Sequence, residues 1–313
     1  MSICLPTKKT IQEATAILQS GGVVSFATET VYGLGCDTFN KIAIQKVYKL
    51  KNRPANNPMI AHILDKTWVD RLATGWNREC DKLADTFWPG PLTIVLPKKE
   101  TVPKEACGGF DTIAIRCPAN TTARLLLASF SSPISAPSAN KSGHVSPTTA
   151  YHVEHEFGCD VMILDGGPSE NGIESTVLSM VGSPTILRPG SILLDELKNT
   201  IGNTEICTTV QQIDSPGTSP RHYSPKTKAV LKSSDRVRKI RCKNTIVISY
   251  NTLPISCQQL IQMPQTATEY ATKIYAALRE ADTREASQIV IEIPPSSPEW
   301  CPIHDRLSRC CAP

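Results

Sequence analysis

The stretch from Val23 to His62 constrains the fold more than any other part of the chain. Val23-Val24-Ser25-Phe26 is a short apolar run of strand length. It leads into the small-polar turn Ala27-Thr28-Glu29-Thr30 and the glycine-containing segment Val31-Tyr32-Gly33-Leu34-Gly35. Ile42, Ile44, Val47, Tyr48 and Leu50 then recur with a helical pattern, which Pro54 stops. Pro58-Met59-Ile60-Ala61-His62 reads as a second strand. Between helix and strand stand two cations and two amides, Lys51, Arg53, Asn56 and Asn57. Polar groups gathered at element ends are how α/β proteins hold ligands.

The alternation continues along the chain. A capping box at Thr10-Ile11-Gln12-Glu13 is expected to open a helix that Gly21-Gly22 ends. Further helices are expected over 77–87, 121–129, 148–156 and near 193–198. Strands are expected over 93–96, 112–116, 133–136, 161–164, 175–180 and 184–187. Short antiparallel-looking strand pairs, as around Gly182-Ser183, argue against a purely parallel doubly wound sheet. One mixed α/β domain therefore covers residues 1–201. Residues 202–227 lose the periodicity, and Ser215 to Lys226 has the Pro, Ser and Gly content of a linker. That linker carries Arg221-His222-Tyr223, which a passive spacer does not need, and ordered loops of this length are usually functional lids. Over 228–313 strands at 229–231, 245–249 and 289–293 alternate with helices at 266–281 and 302–310, a small three-layer α/β/α domain.

Composition excludes several classes. Lys plus Arg is 33 against 29 Asp plus Glu, a net charge of +4 that is too mild to argue for nucleic acid. Aromatics at 5% offer no base-stacking surface. None of the 12 cysteines forms a Cys-x-x-Cys pair, so no zinc-knuckle spacing exists. A chain this long needs no disulfide staples, and the thiols read as reduced core residues of a cytosolic protein, with Cys310-Cys311 exposed at the terminus. No secretory signal pattern follows Met1 to Thr10, and no apolar run approaches the roughly 18 to 20 residues of a membrane helix. The expected location is cytoplasmic, with no membrane partner.

Four constellations carry polar chemistry. Lys51 and Arg53, two apart, do not share a helix face. At a helix end broken by Pro54 both can reach a cleft and hold phosphate, or they can simply complement the helix macrodipole. Ser138 and Asn140 after a strand point to one side, suited to phosphate oxygens or a carboxylate, or to an ordinary Asx/Ser turn. Thr112, Ala114 and Arg116 share a strand face, and Arg116 meets either an anionic ligand or a strand-end salt bridge. Glu174 is a lone carboxylate before Ser175 and Thr176, and Arg188-Pro189-Gly190 follows. His62 ends a strand and faces the cleft, whereas His144, His152 and His155 are expected on solvated surfaces. No Walker-type loop, Gly-x-Gly-x-x-Gly fingerprint, Ser-His-Asp order or His-x-x-x-His spacing occurs. The residues alone define an α/β protein with a cleft of phosphate-binding polar groups.

Several motifs in order resemble one family. They are Thr28-Glu29-Thr30-Val31-Tyr32-Gly33-Leu34-Gly35, Lys51-Asn52-Arg53-Pro54 with Asn57-Pro58, Phe87-Trp88-Pro89-Gly90-Pro91-Leu92-Thr93, and Ala136-Pro137-Ser138-Ala139-Asn140. Asp165-Gly166-Gly167, Glu174-Ser175-Thr176, Leu187-Arg188-Pro189-Gly190, Ser215-Pro216-Gly217, Arg221-His222-Tyr223 and Asp305-Arg306-Leu307 follow. Together they resemble the YrdC-like family of threonylcarbamoyl-AMP synthases in its two-domain form. The resemblance implies an N-terminal YrdC-like twisted mixed sheet with helices and a concave central cavity, plus a small C-terminal Rossmann-like α/β/α domain.

The resemblance further implies synthesis of L-threonylcarbamoyl-adenylate from L-threonine, bicarbonate and ATP, with release of pyrophosphate. The product would pass to a tRNA threonylcarbamoyl transferase, with direct tRNA binding weak or absent. Lys51 and Arg53 would be the catalytic cations on the ATP phosphates, with Ser138 and Asn140 beside them. Asn57, Ser146, Arg188 and Tyr223 would complete the ATP site. Thr28, Thr30, His62, Thr112, Arg116, Ala136 and Ser175 would surround threonine. Magnesium is expected with ATP, no organic cofactor is expected, and no metal ligand can be named. Two departures stand out: Ala27 where the family usually has Pro, and Thr218-Ser219-Pro220 before Arg221. The alternatives are a carbamoyl-transfer module, expected to carry Cys-x-x-Cys fingers, and a non-enzymatic RNA-binding module. The C-terminal domain shows no evident catalytic cluster and is expected to regulate lid closure.

Overall fold

A computed structural model describes residues 2–202, 205–207, 222–240, 244–253 and 259–312. Arg221 and the Pro/Ser/Gly-rich segment before it lie outside the described residues. In chain order the first part runs β1 (Ile3–Cys4), α1 (Lys8–Gln19), β2 (Val24–Phe26), β3 (Gly33–Asp37), α2 (Lys41–Lys51), β4 (Ile60–His62), α3 (Arg78–Phe87) and β5 (Leu92–Pro97). It continues through β6 (Thr112–Arg116), α4 (Thr121–Phe130), β7 (Ile134–Ala136), α5 (Ala150–Phe157), β8 (Met162–Leu164), β9 (Thr176–Ser179), β10 (Thr185–Arg188) and α6 (Leu194–Ile201).

Asparagines set three of the helix starts. The side chains of Asn40, Asn77 and Asn120 accept from backbone N–H groups in the first turns of α2, α3 and α4. Each satisfies donors that a helix start otherwise leaves unpaired. The capping box of α1 lies one turn earlier than the sequence pattern suggested. Thr7 accepts from the Thr10 amide at 3.3 Å and the Thr10 hydroxyl accepts from the Thr7 amide at 2.9 Å.

The ten strands make one sheet in the order β1-β8-β2-β3-β7-β4-β6-β5-β9-β10. β4 runs parallel to β6, while β5 and β6 are antiparallel, as are β2 and β3. The sheet is therefore mixed, as the short antiparallel pairs indicated. β3 was not legible as a strand because its two glycines suggest a turn. Gly35 is there for packing: a Cβ on it would lie 2.6 Å from the Phe26 ring and 2.7 Å from Ile134.

The strand period of two decides which residues meet a ligand. Ile60, Ala114 and Val95 stand opposite one another across β4, β6 and β5, and two residues further on His62, Arg116 and Thr93 do the same. Ile60, Val95, Ala114 and Val177 form a small apolar patch on that face. The opposite face carries Ala61, Ile94, Leu96, Ile113 and Ile115 into the main core. A second layer, with Ala14 and Leu18 of α1 and Leu126 and Leu127 of α4, covers Phe26 and Ile134.

After the first sheet come β11 (Ala229–Lys232), α7 (Ser234–Val237), β12 (Thr245–Ser249), β13 (Leu260–Gln262), α8 (Ala267–Thr283), β14 (Gln288–Glu292) and α9 (Cys301–Cys310). Their four strands form a separate parallel sheet, β11-β14-β12-β13. Ile246, Ile248, Ile289 and Ile291 face α8 and α9, while Val247 and Val290 face Val237 of α7. Helices thus cover both faces, the layering that buried parallel strands require.

The two parts share one core cluster. Val31, Val145 and Ile173 pack with Tyr270, Ile274 and Leu278 of α8. Among the described residues no helix is long and apolar enough to cross a membrane. Of the ten described cysteines, Cys36, Cys80, Cys107, Cys117 and Cys310 are buried, but Cys159 and Cys301 are exposed. Cys310 therefore belongs to the core, not to an exposed terminal pair.

Candidate active site

The turn after β2 is built from its own side chains. The Thr28 hydroxyl donates to the Val31 carbonyl at 2.6 Å and accepts from the Thr30 and Val31 amides at 3.2 Å each. Arg116, at the end of β6, crosses to this turn. Its Nη1 donates to the Thr30 hydroxyl at 2.7 Å, its Nε to the Gly90 carbonyl at 3.3 Å, and its Nη2 meets Glu29 Oε1 at 2.6 Å. Both members of this ion pair are buried. The second Glu29 oxygen accepts from the Ala119 amide at 3.1 Å. Burial works to raise the Glu29 pKa, but the Arg116 charge and the hydrogen bonds outweigh it, and the carboxyl sits below its ordinary range.

His62 stands beside Arg116 in register, its ring edge-on to Phe26 at 5.8 Å and its Nδ1 3.1 Å from the Ile60 carbonyl. Burial, with the Arg116 charge, pushes its pKa down to about 3, so it is neutral at physiological pH. Ser175 closes this side: its hydroxyl lies 2.7 Å from that of Thr93 and accepts from Arg188 Nη2 at 3.1 Å. Gly190 makes room for this wall, because a Cβ there would lie 2.2 Å from the Thr176 amide nitrogen.

A left-handed residue, Asn52 at φ 50°, ends α2. It sends Lys51 and Arg53 in different directions. Arg53 reaches the chamber, held by the Asn57 carbonyl at 3.1 Å, the Asn57 side-chain oxygen at 2.6 Å and the Pro58 carbonyl at 2.8 Å. Burial lowers its pKa to about 10, which leaves it charged at neutral pH. Lys51 lies behind the chamber wall. Its ammonium donates to the carbonyl of Ser138 at 2.6 Å and to that of Asn140. Burial, then the neighbouring Arg53 charge, depresses its pKa well below the ordinary lysine value.

One chamber collects most of these groups. Thr28, Thr30, Arg53, His62, Arg116, Ala136, Ser138, Ser175, Arg188 and Tyr223 all line it. Asn57, Asn140 and Ser146 stand behind it: Asn57 grips Arg53, Asn140 bonds the Lys141 and His144 carbonyls, and Ser146 donates to Glu174 at 2.6 Å. Thr112 is not brought in. It pairs with Pro97 at the opposite end of β6, four residues and about 13 Å from Arg116. Sharing a face with Arg116 does not place it at the same end.

Reading the sequence by residue missed three groups. Glu29 pairs Arg116, His222 lines the chamber, and Glu174 is not a lone carboxylate. Besides Ser146, Glu174 accepts from the Tyr275 hydroxyl at 2.8 Å and from Arg306 Nε at 2.9 Å. No spacing signal could have found these partners, which lie 101 and 132 residues away. His152 is half-buried and accepts from the Thr148 amide at 3.2 Å, and His144 lies 3.1 Å from Glu156, so of the three only His155 is exposed.

Tyr223 is buried with φ 58°, a left-handed conformation that costs a non-glycine residue energy. Its hydroxyl has no partner among the described residues. With His222 it fills one side of the chamber, whose free volume is about 50 Å³.

These carboxylates predict an acid limit. Burial would raise Glu174, but the charges of Arg306 and Arg188 and the Ser146 bond hold it at about 2. A depressed folded pKa gives stability that is present above the unfolded value and lost as pH falls toward 2. For Glu174 the loss is on the order of 3 kcal/mol. Chemical unfolding at pH 7 and pH 3 should show a lower midpoint at pH 3, and equal midpoints would contradict the pairing.

Three guanidinium groups and several hydroxyls line one chamber of an α/β protein with an attached parallel-sheet domain. Residues 16–190 match the family described as Telomere recombination, which groups Sua5, YciO and YrdC. Residues 192–312 match the one described as Threonylcarbamoyl-AMP synthase, C-terminal domain. The Threonylcarbamoyl-AMP synthase of Pyrococcus abyssi is 35% identical over 314 residues, covering 93% of this chain and 92% of that protein. That of Schizosaccharomyces pombe is 31% identical, covering 97% and 88%. The crystal structure of P. abyssi Sua5 complexed with L-threonine has a TM-score of 0.90 at 33% identity, covering 97% of this chain and 95% of that one. The chain belongs to the threonylcarbamoyl-AMP synthase family.

Proposed function

We propose that the chamber joins L-threonine, bicarbonate and ATP into L-threonylcarbamoyl-adenylate and releases pyrophosphate. The observation that supports this most is that three guanidinium groups and several hydroxyls line one chamber. Arg116 stands with Thr30 and His62 at the end of β6, Arg188 is held by Ser175, and Arg53 enters from the end of α2. Arg116 suits an amino acid, because a guanidinium fork matches a carboxylate. Arg116 uses three of its five donors within the protein, which leaves N–H groups for a ligand.

The threonine amine attacks the bicarbonate carbon, water leaves, and a carbamate forms. A carbamate oxygen then attacks the α-phosphorus of ATP, and pyrophosphate departs. No protein nucleophile is required. Such chemistry depends on positioning and on fixed charge where negative charge develops. Arg53 and Arg188 supply that charge. Lys51 acts through the Pro137–Asn140 turn, whose carbonyls it gathers. His62, neutral, adds no competing positive charge next to the threonine amine.

Magnesium belongs to this reading as part of the nucleotide. Glu29 and Glu174 are both held by arginines, and no group of three His, Cys, Asp or Glu among the described residues could hold a metal. A magnesium ion carried by phosphates and water fits such a site. Tyr223 and His222 line the same chamber and would pack against the bound nucleotide. The adenylate would then pass to a tRNA threonylcarbamoyl transferase in the cytoplasm. The match of residues 192–312 to the synthase C-terminal domain favours this over a carbamoyl-transfer module.

Pyrophosphate release from ATP should require both threonine and bicarbonate. Release without threonine, or none with all three present, would overturn the assignment.

A further inference from the structure

The motif Asp305-Arg306-Leu307 finds no use in the chemistry above, yet Arg306 is the largest fully buried side chain among the described residues. It projects from α9 of the C-terminal domain and ends on the chamber wall. Its Nε donates to Glu174 Oε2 at 2.9 Å and its Nη2 to the Glu174 carbonyl at 3.4 Å. Asp305 braces it from behind, at 2.6 Å from Nη1. Tyr275 of α8 donates to the same Glu174 oxygen at 2.8 Å. Two elements of the second domain thus converge on one carboxylate of the first.

The same pair holds Tyr223. The Tyr223 ring stacks on Tyr275 at 5.6 Å with 24° between planes, and the Arg306 guanidinium lies 5.3 Å from the Tyr223 centroid. Tyr223 therefore sits in its left-handed conformation against two C-terminal side chains, and its hydroxyl has no partner among the described residues. Glu174 also precedes Ser175, whose hydroxyl and carbonyl both bond Arg188. Arg306 and Arg188 both act electrostatically on Glu174. Glu174 thus carries Arg306 on its side chain and carbonyl and leads directly into the residue that holds Arg188.

We infer that the C-terminal domain is a working part of the active site, with Arg306 and Tyr275 as positioning residues that hold Glu174 and seat Tyr223. By fixing the side chain and carbonyl of Glu174, Arg306 also fixes the adjoining Ser175, whose hydroxyl and carbonyl hold Arg188. The domain then acts by completing the chamber wall, and it does so without touching substrate. This rests on the synthase reading and specifies which second-domain residues that reading needs.

The test uses the full chain and threonine-dependent pyrophosphate release. Arg306→Ala should lower kcat/KM for ATP at least tenfold, with Arg306→Lys recovering part of the loss. Tyr275→Phe, which removes one hydroxyl and keeps the stacked ring, should lower it about threefold. On a Glu174→Gln background, which has no charge to hold, Arg306→Ala should cost clearly less than it does alone, leaving only the part that comes from its contact with the Tyr223 ring. Thr272→Ala breaks another cross-domain contact, the 3.0 Å bond to the Glu170 carbonyl, without approaching the chamber, and should leave turnover unchanged. Losses that multiply independently in the double variant would overturn the inference. So would wild-type kinetics in a folded Arg306→Ala, or in Tyr275→Phe if Arg306→Ala fails to fold. Failure of the synthase reading looks different, because the unmutated chain would then show no threonine-dependent release.

Discussion

Arg53→Ala should reduce threonine-dependent pyrophosphate release by about a thousandfold or more while the chain remains folded. Arg53 reaches the chamber already held by three acceptors, so its charge needs no reorganisation when phosphate charge develops. Removing a single preorganised donor costs about 10²–10³ in kcat, and Arg53 offers a whole guanidinium. A stability cost must be separated from this. The Asn57 and Pro58 carbonyls lose their partner, which costs about 1–3 kcal/mol for each group left buried and unsatisfied. Thermal unfolding of the variant measures that cost directly. Arg53→Lys keeps a charge but not the fork, and should lie between the two, about a hundredfold down. Full turnover in folded Arg53→Ala would remove it from the site.

The contrast with Lys51 shows what a sequence can and cannot carry. Two cations two residues apart at a helix end were legible as a pair off one helix face. What separates them is the left-handed Asn52, and that depends on how α2 meets the Pro54 segment. So one cation lines the chamber and the other braces the turn behind it. Arg116 was legible for a different reason. Strand period fixes its face and the strand end fixes its depth, and both are local properties. Thr112 satisfies the first condition and fails the second. β3 was hidden by its glycines, which answer to Phe26 and Ile134 instead of to a turn. The partners of Glu174 were beyond reach altogether, because no local pattern links α8 and α9 to a residue more than a hundred positions earlier. The mixed sheet and the separate α/β/α domain were legible because each rests on local apolar patterns, though the short strand Leu260–Gln262 was not. The convergence of two domains on one carboxylate depends on tertiary packing alone.

Arg116→Ala should raise KM for threonine at least a hundredfold and change KM for ATP little. Arg116 stands at the end of β6 beside Thr30 and His62, whereas Arg53 comes from the end of α2, where Asn57 and Pro58 hold it. Glu29→Gln gives the sharper result. It keeps the shape of the side chain and its bond to Ala119, but removes the charge that faces Arg116 at 2.6 Å. Arg116 then has a carboxylate partner only when threonine is bound. Two effects oppose each other. A bound carboxylate should be held more strongly, but the guanidinium is no longer fixed toward Thr30. Breaking a buried pair leaves an uncompensated charge and destabilises by about 3–5 kcal/mol, so the loss of order should dominate, and KM for threonine should rise about tenfold. The variant should lose thermal stability without threonine, and saturating threonine should widen its deficit against the unmutated chain, since a ligand that binds only the folded state stabilises it by mass action and the variant binds it more weakly. Equal melting shifts with and without threonine would show that Arg116 does not meet the amino acid. The pH profile gives an independent check. His62, held at about 3 by burial, does not titrate between pH 6 and 8, so the pH dependence of kcat/KM for threonine there should be the same in His62→Gln as in the unmutated chain.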